Sequence, residues 1–457
     1  MDRRFSVPFR ATAKPEAEVM SRFLFTTWPF PGHVLPHVTI AQALRERGHE
    51  CAFYTGPRGA GILNREGIQY FPFQRVNEDE LWKLLFEEQA GFTHWRNASR
   101  FQTLMRRWLL ETLPMQVGDL MPILRDWQPD AIICDPTMWG PILILREKCG
   151  IPVAVSCYFA CKVPGRDMPP FGLGLPLPTH WYSRAMWRIL GKAVDLFSRR
   201  FRQRANEIRE SFGLPSITQS VSAFAGSMPL YMVPTSAEFD YNRRSLPKSV
   251  HYIGPCLWND RHEATTTSLS KLRRDRPWVH VTEGTIHVQA PMVLRAAAQG
   301  LADLPMEVIM TTGGNRDPSE VDIGDRAANI HLFSWVSHSE LLPQTAVLVT
   351  TGGAGSVMAG LNAGVPLVVI PTEWDKPEVA QRVVESGAGV RISPNKCTPR
   401  RLREAVERVL NDKKFRENAG RLQASFRRYG GPAQAATLLE DLVASSPACE
   451  AGARSLG

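Results

Sequence analysis

The chain has 457 residues, 44% hydrophobic and 22% charged, with a net charge of +9. That is too long for one typical core and suits two domains of about 200 residues each in an ordinary globular protein. Basic residues are interleaved with apolar ones instead of forming runs, which argues against nucleic acid as a partner. No stretch approaches the roughly 18 apolar residues of a membrane span. The eight cysteines have no CxxC pair and no histidine at zinc-site spacing, so they read as buried thiols of a reduced, cytoplasmic protein. Residues 1–19 hold Arg3, Arg4, Arg10 and Lys14 without an apolar core and are expected to be a disordered extension, not a secretory signal; Met20 is an alternative start.

In chain order, Ser21 to Thr27 reads as a first strand. A Pro/Gly turn follows, then a helix from about Leu35 to Arg47 stopped by Gly48, and a second strand over Glu50 to Tyr54. His33 lies in that turn, at the carboxyl edge where open parallel sheets bind ligands; it is a candidate proton acceptor or else a helix-capping or exposed histidine. Residues 75–125 are charged and helical, and Glu78-Asp79-Glu80 reads as a solvated helix start, because the chain has no D-x-D pair to hold a metal-bound diphosphate. DAIICDPTMWGPILILREKCGIPVAVS is another strand–turn–helix–strand unit and sets Asp135 on the same edge as His33. A carboxylate there can orient an imidazole and stabilise its protonated form; a helix N-cap or an Asx turn before Pro136 is the alternative.

Lys162 to Thr179 is a proline- and glycine-rich loop suited to substrate contacts. Beyond it, Trp187, Leu190, Val194, Phe197 and Phe201 recur three and four apart against Arg184, Arg188, Lys192, Arg199 and Arg200. Simple packing against the domain, or a wall of an acceptor pocket, is the favoured reading of this basic amphipathic helix, with weak peripheral membrane contact as the alternative. Composition shifts after Tyr241. The expected division is an N-terminal domain over 20–245, a linker over 246–276, a C-terminal domain over 277–430, a closing helix over 431–445 and a disordered tail over 446–457.

In the second half TTGG occurs twice, at Thr311 to Gly314 and Thr350 to Gly353, each time after an apolar strand, so that two loops on one sheet edge frame a cleft. The second copy belongs to a βαβ unit: a strand over Ala346 to Val349, a turn over Thr350 to Gly355, a helix opening at Ser356, and a strand over Pro366 to Ile370 that leads into Thr372-Glu373-Trp374-Asp375-Lys376. Gly352, Gly353 and Gly355 allow close approach of a ligand to the helix N-terminus, where a phosphate fits; a plain tight βα turn is the alternative.

Two doubly wound halves with PGHVLPHVTIAQALRERGHE, HYIGP, VTEGT and SWVSHSELLPQTAVLVTTGGAGSVMAGLNAGVPLVVIPTEWDKPEVAQRVVESGAG together resemble the UDP-glycosyltransferases of natural-product type. The resemblance covers Ser21 to Leu442. It implies an α/β fold of GT-B type, two doubly wound Rossmann-like domains facing across a cleft. It also implies inverting, metal-independent transfer from a UDP- or dTDP-sugar co-substrate to a hydroxyl of a lipophilic small molecule, with no cofactor. Carried over residue by residue, His33 is the base and Asp135 its partner; Trp335 and Val336 hold the nucleobase; Thr285, Gly353 and Ser356 contact the diphosphate; Thr351 and Gly352 belong to the same donor-binding loop; Asp375 and Lys376 face the sugar.

The chain departs from the family pattern at Thr351, where a diphosphate-binding histidine is usual, at Ala359, where a ribose-binding acid is common, and at Lys376 and Val379 in place of Gln and Asn. A threonine hydroxyl donates one hydrogen bond and no charge, which Lys376 could offset. The rival readings are a degenerate relative that binds without turnover, a sugar-nucleotide epimerase, and a dinucleotide-dependent oxidoreductase. The last is disfavoured by methionine at 358, where a third glycine belongs.

Overall fold

The computed structural model describes residues 20–87, 98–165, 168–259, 269–270, 272–285, 291–314 and 316–446. The expected disordered ends, save Ser446, lie outside these residues, as does 260–268 of the expected linker.

Short runs of Val, Ile, Leu and Phe that are apolar on both faces need helices on both sides, and they form two all-parallel sheets. The first takes β1 (Arg22–Thr26), β2 (Glu50–Thr55), β3 (Gln69–Pro72), β4 (Ala131–Cys134), β5 (Val153–Ser156), β6 (Leu230–Val233) and β7 (Val250–Tyr252) in the order 3-2-1-4-5-6-7. The second takes β8 (Trp278–Thr282), β9 (Glu307–Thr311), β10 (Ile330–Phe333), β11 (Thr345–Thr350), β12 (Leu367–Val369) and β13 (Gly389–Arg391) in the order 10-9-8-11-12-13. In each sheet the order reverses beside the first strand, between β1 and β4 and between β8 and β11. Such a switch point opens a crevice at the carboxyl ends of the strands.

Several boundaries differ from the sequence reading for physical reasons. The first helix spans Pro31–Arg45, not Leu35 to Arg47. Proline is favoured at the first helical position, where its fixed φ suits the helix and its missing N–H is not needed, so the PGH segment is the first helical turn. The glycine-loop helix spans Ala354–Asn362, opening two residues before Ser356. Residues 250–252, expected in the linker, form the edge strand β7 instead; three residues are too few to show a period of two. Glu78 is not solvated: it is 9% exposed, and its carboxylate accepts the Arg58 N–H at 3.2 Å, at the start of the Pro57–Arg65 helix.

The helix Pro432–Ser445 returns to the first sheet, where Ala435, Ala436, Leu439 and Leu442 enter the core beside Val34, Val38 and Leu44. Arg47 and His49 hold Glu440 on the way, at 2.7 and 3.0 Å. The two halves are also clamped directly. Arg382, on the Lys376–Glu385 helix, is buried between Asp240 at 2.9 Å and Glu378 at 2.7 Å. Glu378 in turn accepts the N–H groups of Gly172 and Gly174 at 2.8 and 2.9 Å. Gly174 has φ +57°, and a Cβ there would lie 2.5 Å from the Pro377 carbonyl oxygen, so part of the Pro/Gly-rich loop serves this junction.

Candidate active site

The carboxyl edges of both sheets open onto one cavity of about 1250 Å³. On the first sheet the switch point puts His33, after β1, beside Asp135, after β4, whose N–H donates to the Thr26 carbonyl at 3.0 Å. His33 Nδ1 lies 2.5 Å from Asp135 Oδ2. The other carboxylate oxygen accepts the Thr137 N–H at 2.7 Å, the Thr137 hydroxyl at 2.5 Å and the Tyr158 hydroxyl. One oxygen of Asp135 thus closes an Asx turn while the other meets the histidine.

Asp135 is fully buried. Burial alone would push its pKa up, but the His33 charge and the hydrogen bonds from His33, Thr137 and Tyr158 together outweigh it and hold the carboxyl well below the usual carboxylate range. An ionised carboxylate can only accept, so the network assigns the His33 proton to Nδ1 and a lone pair to Nε2. Nε2 makes no hydrogen bond to the described residues, and the side chain, 19% exposed, lines the cavity. His37, one turn on, donates from Nδ1 to the His33 carbonyl at 2.6 Å; burial lowers its pKa and keeps it neutral. Sequence reasoning missed Thr137 and Tyr158. The D-P-T spacing of an Asx turn could have revealed the first. The second sits 125 residues from His33 in an apolar run with no motif, its ring centroid 4.3 Å from the imidazole.

On the second sheet the switch point brings together the loops after β8 and β11. Thr285, Thr351, Gly353, Ser356, Asp375 and Lys376 line the cavity, as does Gly313 of the first TTGG loop. Gly353 is the N-cap of the Ala354–Asn362 helix and no side chain caps it. A Cβ on Gly353 or Gly355 would meet nothing within 4 Å, so a ligand can reach the main chain there. Gly352 instead faces inward: its φ is +89° and a Cβ would lie 2.9 Å from Val369 Cγ1 and 3.4 Å from Lys376 Cβ. The Ser356 hydroxyl and the Asp375 carboxylate make no hydrogen bond to the described residues.

Thr351 is nearly buried, and its hydroxyl donates to the Glu283 carbonyl at 3.0 Å. Glu283, absent from the sequence reading, accepts the Val293 N–H at 2.8 Å at the head of the Met292–Gly300 helix, and burial raises its pKa. Lys376 opens its helix with Nζ donating to the Thr372 hydroxyl at 2.8 Å. Burial lowers its pKa, while the charges of Glu373, Asp375 and Glu283 work against that. Trp335 and Val336 follow β10. The Trp335 ring lines the cavity and stacks on His338 with centroids 6.2 Å apart, whereas Val336 is 2% exposed, so the contact it offers is main chain. Burial pushes His338 down to about 4.

The first-sheet side of the cavity is aromatic. Phe86, edge-on to Phe30 in the first half, meets Trp374 from the second, which also packs on Trp108 at 5.9 Å between centroids. Trp374 has φ +58°, a conformation that a bulky residue adopts only when its surroundings hold it there. Leu190, Val194, Phe197 and Phe201 complete that wall, as the periodicity suggested. Among the described residues no group of three His, Cys, Asp or Glu stands together as metal ligands would.

Two facing doubly wound sheets, a histidine–carboxylate pair on one edge and an uncapped helix behind a glycine loop on the other, define the GT-B glycosyltransferase architecture. Comparison with known proteins bears this out. Residues 295–442 match the family described as erythromycin biosynthesis protein CIII-like, C-terminal domain. The chain is 32% identical to 4'-demethylrebeccamycin synthase of Lentzea aerocolonigenes over 93% of this chain and 100% of that one. It is 27% identical to demethyllactenocin mycarosyltransferase of Streptomyces fradiae over 98% and 94%. Among solved structures, the glycotransferase of kitacinnamycin superposes with a TM-score of 0.72 at 21% identity over 93% and 99% of the two chains. The glycosyltransferase VinC in complex with dTDP gives 0.64 at 19% over 93% and 99%. The chain belongs to the UDP-glycosyltransferase family, among the glycosyltransferases of natural-product biosynthesis, and is a sugar transferase of GT-B type that uses nucleotide sugars.

Proposed function

We propose that the chain transfers a sugar from a UDP- or dTDP-sugar to a hydroxyl of a lipophilic small molecule, inverting the anomeric centre and using no metal or other cofactor. The observation that carries this reading is the His33–Asp135 pair at 2.5 Å in the same cavity as the uncapped Ala354–Asn362 helix. His33 Nε2 takes the acceptor hydroxyl proton as the oxygen attacks the anomeric carbon from the face opposite the leaving group. The carbon–oxygen bond to the nucleoside diphosphate breaks, and its electron pair leaves with the phosphate. The proton rests on His33, whose imidazolium the Asp135 carboxylate stabilises.

The nucleobase stacks on Trp335 and meets the main chain of Val336. Thr285, Gly353 and Ser356 surround the diphosphate, and helix N–H groups fixed in advance answer the charge that grows on it, which helps the transition state more than the ground state. Asp375 and Lys376 face the sugar, and Lys376 adds a positive charge near the diphosphate. The aromatic wall suits an apolar acceptor. The dTDP bound in VinC makes a thymidine nucleotide a candidate alongside UDP.

The test is a donor-by-acceptor screen of the wild type and His33→Ala with UDP- and dTDP-sugars, read by mass spectrometry with and without EDTA. Acceptors should gain one hexose-class mass, EDTA should change nothing, and His33→Ala should lose about 10³-fold in rate with donor binding intact. Full transfer by His33→Ala would remove the histidine as base.

A further inference from the structure

The Trp181–Phe197 helix has two apolar faces. One walls the cavity through Leu190, Val194 and Phe197. The other is turned to the surface: Trp181 is 80% exposed, Tyr182 57%, Met186 50%, Ile189 70% and Leu196 69%, and no residue of the helix is buried. Tyr182, Met186, Ile189 and Leu196 follow one another four, three and seven apart, which makes a single stripe. A contiguous apolar stripe of this kind on a surface marks a binding site.

Charge identifies the occupant. Arg184, Arg188, Lys192, Arg199 and Arg200 are all exposed, and Asp195, the one acid between Trp181 and Asn206, is paired with Arg202 at 3.1 Å. A second copy of the chain would set this basic row against its own kind. An anionic bilayer satisfies both features: the apolar stripe enters the acyl boundary, the long basic side chains reach the lipid phosphates, and Trp181 and Tyr182 sit at headgroup level. The helix lies on such a surface and does not cross it, since no described helix is long and apolar enough to span a membrane.

We propose that the outer face of the Trp181–Phe197 helix docks the protein on an anionic lipid bilayer. Because the adjoining face of the same helix walls the cavity, docking brings that cavity to the phase in which an apolar acceptor dissolves. This consequence rests on the acceptor class proposed above; the docking itself does not.

The experiment is co-sedimentation of the full chain with phosphatidylcholine vesicles with and without phosphatidylglycerol. The chain should bind the anionic vesicles, release them as salt is raised, and bind neutral vesicles far less. Ile189→Glu with Leu196→Glu, and separately Arg184→Glu with Arg188→Glu, should each reduce partitioning by about tenfold or more, roughly 1.4 kcal/mol, with transfer to a water-soluble acceptor unchanged. Absence of binding at low salt, or binding that neither pair alters, overturns the proposal. So does a dimer in sedimentation that Ile189→Glu with Leu196→Glu splits, which would assign the face to a second copy of the chain. If docking holds while no apolar acceptor is glycosylated, the docking stands and the acceptor class falls.

Discussion

The two halves of the cavity are finished to different degrees. On the His33 side the groups around the imidazole are engaged inside the chain: Asp135 accepts from His33, Thr137 and Tyr158, and His37 holds the His33 carbonyl, while His33 Nε2, which makes no hydrogen bond to the described residues, is left to the cavity. On the glycine-loop side the helix N-terminus is uncapped and the hydroxyl of Ser356 and the carboxylate of Asp375 are left for a ligand, while Thr351 is already engaged with the Glu283 carbonyl. A proton acceptor must hold its geometry and tautomer before the substrate arrives, whereas an anion site is completed by the anion itself. Substitutions on the first side should therefore act on turnover and those on the second on donor affinity.

The sharpest break is Asp135→Asn. Its Oδ1 can keep the Thr137 bonds, but the amide Nδ2 would donate where Oδ2 accepted, turning the His33 proton to Nε2. We expect a loss of about 10³-fold in kcat with the donor Kd unchanged, measured by initial rates and calorimetry. Stability carries a matching signature. The Asp135 pKa is lowered in the folded state, so its stabilising effect is present above the unfolded carboxylate pKa and is lost as the pH falls through the lower folded value. In urea melts the gap between wild type and Asp135→Asn should be widest near neutrality and narrow below about pH 4.

Next comes Gly352→Ala, which must place a Cβ 2.9 Å from Val369 Cγ1 at φ +89°. The expected cost is about 2 kcal/mol, seen as a lower Tm or, where the loop shifts to relieve it, as roughly 30-fold weaker donor binding. Calorimetry with and without nucleoside diphosphate separates the two; an unchanged Tm together with an unchanged Kd would mean that the loop does not need glycine. Lys376→Ala should weaken nucleoside diphosphate binding about tenfold and make it less sensitive to salt, with Lys376→Arg in between. Unchanged affinity and turnover in Lys376→Ala would remove it as the replacement for the histidine that Thr351 displaces.

The strand–helix order was readable because buried parallel strands leave continuous apolar runs and the turns carry glycine, and the same features placed His33, Asp135 and the glycine loop on sheet edges. What could not be read depends on distance in sequence or on local geometry. Tyr158 meets Asp135 through tertiary packing, and Asp240 meets Arg382 across 142 residues. Trp374 crosses to Trp108 only because its backbone takes a positive φ. The PGH segment was mistaken for a turn because proline reads as a breaker, although at the first helical position it is a starter. Glu283 was given no role within VTEGT because its two contacts, a side-chain cap for a helix ten residues on and a carbonyl acceptor for Thr351, lie outside any local pattern.

The Glu283 contact makes Thr351 the finest test of the comparison. Family resemblance makes residue 351 a direct ligand of the diphosphate, but the Thr351 hydroxyl proton is committed to a carbonyl 3.0 Å away, and a hydroxyl has only one proton to donate. Thr351→Val removes that bond at nearly constant shape. The expected result is a loss of about 1 kcal/mol in folding stability with donor affinity changed less than about twofold. A tenfold fall in affinity at unchanged Tm would show that the bound diphosphate draws the hydroxyl away from Glu283, which would make the donor side as dependent on its side chains as the acceptor side is.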